Sequence, residues 1–116
     1  MREDDRPPSD RDLVRILKAL GDPNRFQMVR TIAAAGELSC GQVAEHFDFS
    51  QPTISHHLKI LMDAGILIQR NVGKHHFTSV DHALLKRVAD LVPARLTAGV
   101  KRGPARSRPG RRARTG

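Results

Sequence analysis

Gln51, Thr53, Ser55, His56 and Lys59 fall within a short stretch that carries amides, hydroxyls, an imidazole and an ammonium but no carboxylate. Such groups pair with the edges of DNA bases, and a cation beside them pairs with phosphate. The spacing predicts that Gln51, Ser55, His56 and Lys59 share the outer side of a helix. Ile54, Leu58 and Leu61 recur at i, i+4 and i+7 and make a thin apolar stripe for the inner side. Ser50 is the expected N-cap, and Pro52 falls in the first turn, where a missing N–H costs nothing. A helix anchored by one stripe, with short polar side chains facing out, suits the DNA major groove. Gln51 and His56 are the candidates for base edges. Thr53 and Ser55 would read bases or hold phosphates.

The flanking residues predict the elements that position this helix. Ser39 and Gln42 have capping-box spacing and start a helix over about Cys40 to Phe47, with Val43, Ala44 and Phe47 on its apolar side. Asp48-Phe49 is then a short turn, so the two helices form a helix-turn-helix. Ser39 and Gln42 can also donate to a phosphate from their helix N-terminus. Gly65 closes the second helix. Ile66 to Arg70 reads as a strand, Asn71 to Lys74 as a turn, and His75 to Val80 as the returning strand. A hairpin directly after a reading helix is a wing. Arg70 and Lys74 are expected near its tip without an acidic neighbour. With Lys59 they are the candidate phosphate contacts.

The remaining chain builds a scaffold. Ser9 or Asp10 caps a first helix through Leu20, with Leu13, Leu17 and Leu20 on one stripe and Val14 and Ile16 beside it. Gly21 ends it. Asp22-Pro23 opens a second helix lined by Phe26, Val29, Ile32 and Ala33 and closed by Gly36. Asp81 caps a last helix with Leu84, Leu85, Val88, Leu91 and Val92, expected to stop at Pro93. The first and last helices carry more apolar residues than a small core absorbs. Either both pack on the core alone, or Leu13, Leu17, Leu20, Leu84, Leu85, Val88 and Leu91 form a dimer interface. A two-fold dimer would also compensate for the little specificity of one short reading helix. The expected fold is mostly α with a small β-hairpin, in the order α-α-α-α-β-β-α.

Length and charge narrow the function classes. The chain has 116 residues and a net charge of +8, which fits one small domain. Eight cations lie in the acid-free stretch from Ala94 onward: Arg95, Lys101, Arg102, Arg106, Arg108, Arg111, Arg112 and Arg114. The other 12 Lys and Arg match the 12 Asp and Glu. Three segments follow: an acidic flexible start (1–9), a folded domain (10–93) and a disordered Arg-rich tail (94–116). The tail would act as a nonspecific DNA arm or merely as a solubilising extension. No membrane-length apolar run and no signal-peptide pattern are expected, and one cysteine, Cys40, fits a reducing cytosol. With no Trp or Tyr, stacking on single strands is poorly supported. No phosphate loop, carboxylate pair or nucleophile triad signature points to an enzyme.

Three stretches together resemble the ArsR-type, or SmtB-type, winged helix-turn-helix repressors: Leu17 to Arg25, Ser50 to Lys59, and Asp63 to Leu67, with Gly73-Lys74 at the wing. The resemblance spans Leu17 to about Val88. It implies a homodimeric repressor that binds palindromic double-stranded operator DNA in the cytoplasm, at the nucleoid, and releases it on a signal. His57 matches the family's recurrent histidine and is expected at the helix flank, near a phosphate or packed. Many members hold a metal through Cys-x-Cys, but the matching positions here are Ser39 and Gly41, around the lone Cys40. Others use carboxylates and histidines of the last helix. Here Asp81 and His82 begin that helix, and Asp90 is the one later acid before Pro93. No metal and no cofactor are therefore expected, and the effector is open, with thiol sensing at Cys40 a lesser alternative. The rival readings are a metal-responsive repressor with an atypical site and an architectural DNA binder driven by the tail.

Overall fold

The computed structural model describes residues 6–99, which order as α1 (Asp10–Leu20), α2 (Pro23–Ala35), β1 (Leu38–Ser39), α3 (Cys40–Glu45), α4 (Gln51–Asp63), β2 (Leu67–Val72), β3 (His75–Val80) and α5 (His82–Thr97). The acidic residues at the start, Glu3, Asp4 and Asp5, and the arginine-rich stretch from 100 onward lie outside the described residues.

Local chemistry starts each helix. Ser9 caps α1 in a reciprocal box with Asp12, through bonds of 3.1 and 3.0 Å. Donation from the Ser9 N–H, with a further contribution from the Ser9 hydroxyl, holds the Asp12 carboxyl below the usual carboxylate range. Asp22 caps α2 by accepting from Asn24 and Arg25 N–H, which likewise lowers its pKa, and Pro23 is at N1. Ser39 and Gln42 form the expected box on α3. That helix is shorter than predicted and ends at Glu45, because the turn that follows is held by the stacked rings of Phe47 and Phe49, 5.8 Å apart.

The core lies beneath α4. Met28, Ile32, Val43, Ile54, Leu58, Leu61 and Ile66 are fully buried together. Helix α4 packs on α1, α2, α3 and β2 at once. The packing settles which apolar residues of α1 the core takes, and on α2 the inward face differs from expectation. On α1 the buried residues are Leu13, Ile16 and Ala19, while Val14 and Leu17 stay 50 % and 44 % exposed. On α2 Met28 goes inward with Val29 and Ile32, and Phe26 is 50 % exposed. In both helices a run of neighbouring apolar residues is wider than the stripe the core accepts.

The sheet has three antiparallel strands in the order β1-β3-β2, not two. Leu38 pairs with Thr78, whose buried hydroxyl donates to the Leu38 carbonyl at 3.1 Å. The wing hairpin is also tighter than expected. Val72 pairs with His75, so the turn is Gly73-Lys74 alone, and Asn71 and Val72 belong to the strand. Gly73, at φ 60°, supplies the left-handed residue that a two-residue hairpin turn needs.

Helix α5 runs through Pro93 to Thr97. Proline removes one N–H from the ladder, but Ala89, whose carbonyl loses it, is exposed and open to water. Beyond Pro93, Arg95 clasps the other end of the fold: its guanidinium donates to Asp10 at 2.8 Å and to the Pro8 carbonyl at 2.7 Å. One cation counted with the tail is therefore part of the folded domain.

Candidate nucleic-acid interface

Helix α4 presents the expected face. Its N-cap is Ser50, which accepts from Thr53 N–H at 3.3 Å, and Pro52 sits in the first turn. Ile54, Leu58 and Leu61 are buried, and Gln51, Ser55, His56 and Lys59 are exposed on the other side. Thr53 is exposed too, but its hydroxyl shares a 2.9 Å hydrogen bond with that of Ser50, so part of its capacity serves the cap. Lys59 meets Asp63 one turn on, at 3.2 Å. Both side chains are exposed, so this pair is weak and readily exchanged for a phosphate.

His57 is the member of the set that the fold turns inward, 9 % exposed. Its ring is packed. Its ring lies 6.1 Å from that of Phe49, and its Nδ1 is 3.4 Å from the Arg25 guanidinium. Arginine can only donate, so in this bond Nδ1 accepts and the ring proton sits on Nε2. Arg25 also donates to the Ala19 carbonyl at 2.8 Å and the Lys18 carbonyl at 3.4 Å, closing the C-terminal end of α1. His57 thus links the reading helix to the α1–α2 corner.

Ser39 and Gln42 are committed as well. The Ser39 hydroxyl accepts from Gln42 N–H at 3.1 Å, and the Gln42 side-chain oxygen accepts from Ser39 N–H at 2.8 Å. The amide nitrogen of Gln42 is left over as a donor.

The wing differs from expectation in charge. Lys74 is exposed at the turn. Arg70 has an acidic partner after all: it grips Glu37 through bonds of 3.0 and 2.7 Å and lies 5.2 Å from the centre of the Phe77 ring. The donation from Arg70 holds the Glu37 carboxyl below the usual range and raises the guanidinium's own pKa. Glu37 is 33 positions earlier in the chain and reaches Arg70 because β1 joins the sheet, which sequence reading missed. On the opposite face Gln69, Asn71 and His76 form a hydrogen-bonded group. Strand alternation places them together once the register is known; the longer turn expected from sequence hid it.

Within one chain the candidate donors around α3 and α5 do not converge. Cys40 is a single half-buried thiol. Asp81 accepts from Leu84 N–H at 3.0 Å as the cap of α5. His75 and His76 point to opposite faces of β3. Among the described residues no three His, Cys, Asp or Glu side chains converge.

The family pattern described as bacterial regulatory protein, arsR family, matches residues 22–69, from the cap of α2 into the wing. The arsenical resistance operon repressor of Staphylococcus xylosus is 40 % identical over 75 residues, 65 % of this chain and 71 % of that one. The chain belongs to the ArsR family. Its fold is that of an ArsR family transcriptional regulator of known structure, with a TM-score of 0.68 at 19 % identity, covering 84 % of this chain and all of the other. The repressor BigR of Xylella fastidiosa matches with a TM-score of 0.57 and 29 % identity over 88 % of this chain and all of that one. As an ArsR-family protein the chain is a DNA-binding transcriptional regulator and not an enzyme. No helix among the described residues is long and apolar enough to cross a membrane.

Proposed function

We propose that this regulator is a repressor that binds a palindromic operator as a homodimer in the cytoplasm. Helix α4 enters the major groove and the wing follows the flanking backbone. The observation that carries the reading is the α4 face itself: Gln51, Ser55 and His56 are exposed, hydrogen-bonding and unpaired with acid, above a fully buried stripe. Lys59 and Lys74 supply phosphate contacts. Ser39 and Gln42 contribute at most the amide of Gln42.

The pairing surface is the groove between α1 and α5, lined by Leu13, Val14, Leu17, Val92 and Leu96. Leu96 is 74 % exposed, and with Val14 and Leu17 it makes an apolar strip that a second copy would cover. Leu20, Leu85 and Leu91 are half-buried against the core, and Leu13, Leu84 and Val88 serve mainly the core of their own subunit. The arginine-rich stretch after residue 100 adds affinity for any duplex.

The test is selection from a random duplex library with the full chain, with the mass in solution measured in parallel. A palindrome and a dimer mass are expected; enrichment of no motif would leave the architectural reading. His56→Ala should change the preferred base at one position in each half-site by roughly tenfold. Equal weakening on selected and random duplex would remove His56 from base reading.

A further inference from the structure

We propose that His76, oriented by Asn71 and Gln69, reads a G·C base pair from the minor groove beside each half-site. The inference rests on the reading above, in which the wing lies along DNA.

Strand alternation puts Gln69, Asn71 and His76 on the face that nearer the body carries Leu67, Thr78 and Val80 of the core. Beyond the core's edge these three side chains are exposed. The Asn71 side-chain oxygen lies 2.6 Å from His76 Nδ1 and 2.9 Å from the Gln69 amide nitrogen. The Gln69 nitrogen is 3.2 Å from the same Nδ1.

One proton arrangement fits these distances best. An oxygen at 2.6 Å cannot donate, so Nδ1 carries the proton and gives it to Asn71. Gln69 donates to the other lone pair of that oxygen. Its nearness to Nδ1 is then a crowded approach with no proton shared. Turning the Asn71 amide over alone would set two amide nitrogens against each other at 2.9 Å, and turning both amides would bring the Asn71 nitrogen to 2.6 Å from Nδ1, too short for an N–H···N bond. With Nδ1 protonated, the neutral ring offers a bare lone pair at Nε2, near the wing tip.

The minor groove tells such an acceptor where to go. A·T and T·A pairs show only acceptors there, adenine N3 and thymine O2, whereas a G·C pair adds the guanine N2 amino donor. An acceptor at Nε2 pairs with guanine and is repelled by the other edges. The usual minor-groove cation would select the opposite, and Arg70, which could supply it, is turned to the other face and held by Glu37 and Phe77. The pair Asn71–His76 therefore works as a fixed-tautomer reader, with Asn71 and Gln69 as positioning residues.

The test uses the full chain at about pH 8, against a random duplex library. The wild type should enrich a palindrome whose flanks favour G·C over A·T about two- to tenfold, the worth of one net hydrogen bond. His76→Phe keeps a ring of similar size and should retain the palindrome while losing the flank preference. Long-range ¹H–¹⁵N spectra should show His76 Nε2 unprotonated in the wild type, with the proton shifting toward Nε2 in Asn71→Ala. Identical flanks for wild type and His76→Phe, or a wild-type ring protonated at Nε2, would overturn the proposal. A palindrome with indifferent flanks removes only this inference. Enrichment of no palindrome removes the operator reading and this inference with it.

Discussion

The reading helix and the wing face the same task with opposite means. In α4 every constraint comes from beneath: Ile54, Leu58 and Leu61 are locked in the core, and the outward side chains are left almost free to bond elsewhere. The wing tip has no core beneath it, and there the side chains hold one another. Arg70 is gripped by Glu37 and lies over Phe77, while Asn71 ties Gln69 to His76. A helix on a packed floor can afford unpaired polar groups. A two-stranded ribbon is marginal by itself and gains order by spending some of its polar groups internally. Charge on the wing is therefore a poor guide to what it offers a partner.

Three substitutions would break or sharpen this contrast. The largest effect belongs to the floor of the helix. Leu58→Ala should cost about 2–5 kcal/mol of stability, and operator affinity should fall with it although Leu58 reaches no base. A thermal melt within a degree or so of the wild type would show that the face does not depend on its floor. Lys74→Ala comes next. It should lower the slope of log affinity against log salt by about one, equally on operator and random duplex. A slope change on the operator alone would make Lys74 a reader.

Glu37→Gln should have the smallest effect, confined to the wing and to one pH range. Arg70 lowers the Glu37 pKa, so the pair stabilises the fold above the ordinary carboxylate range and is lost as pH falls through the depressed value. The variant should therefore be less stable than the wild type near neutrality and equal to it in acid. Its Phe77 and Ser39 amides, opposite each other in the sheet, should exchange faster. A stability difference that grows on acidification would overturn the assignment.

What could be read from sequence was what is local. Asp22-Pro23, Ser39 with Gln42, and Ser50 with Pro52 act within one helical turn, so residue type and spacing sufficed. The stripe of α4 was legible for the same reason. The misreadings needed the rest of the molecule. Strand β1 is two residues long and exists because Leu38 finds Thr78 forty positions later. Phe26 is as apolar as its buried neighbours Met28 and Val29, and only the packing decides which of them the core accepts. Pro93 reads as a stop by itself; here the carbonyl it leaves unpaired faces water, and Arg95 fastens the following turn. For the site, the exposed α4 residues were legible, but the inward turn of His57 and the capture of Arg70 depend on Arg25 and Glu37, each more than thirty positions away.

One joint determines how the two regions bear on a partner. Helix α4 passes into the wing through Gly65, at φ 84°, with Gly65 N–H donating to the Met62 carbonyl at 2.9 Å and Ile66 N–H to the Leu61 carbonyl at 3.0 Å. Ile66 then accepts from Asp81 N–H, so the far end of the hairpin is fastened at the same point. A side chain at Gly65 would need a backbone conformation it rarely adopts, and its Cβ would stand 3.4 Å from Leu84. The joint thus works like the fixed angle of a set square. Residues added at the Gly73-Lys74 turn would lengthen the wing's reach and leave its bearing unchanged, whereas a change at Gly65 would swing the whole wing off the line set by α4.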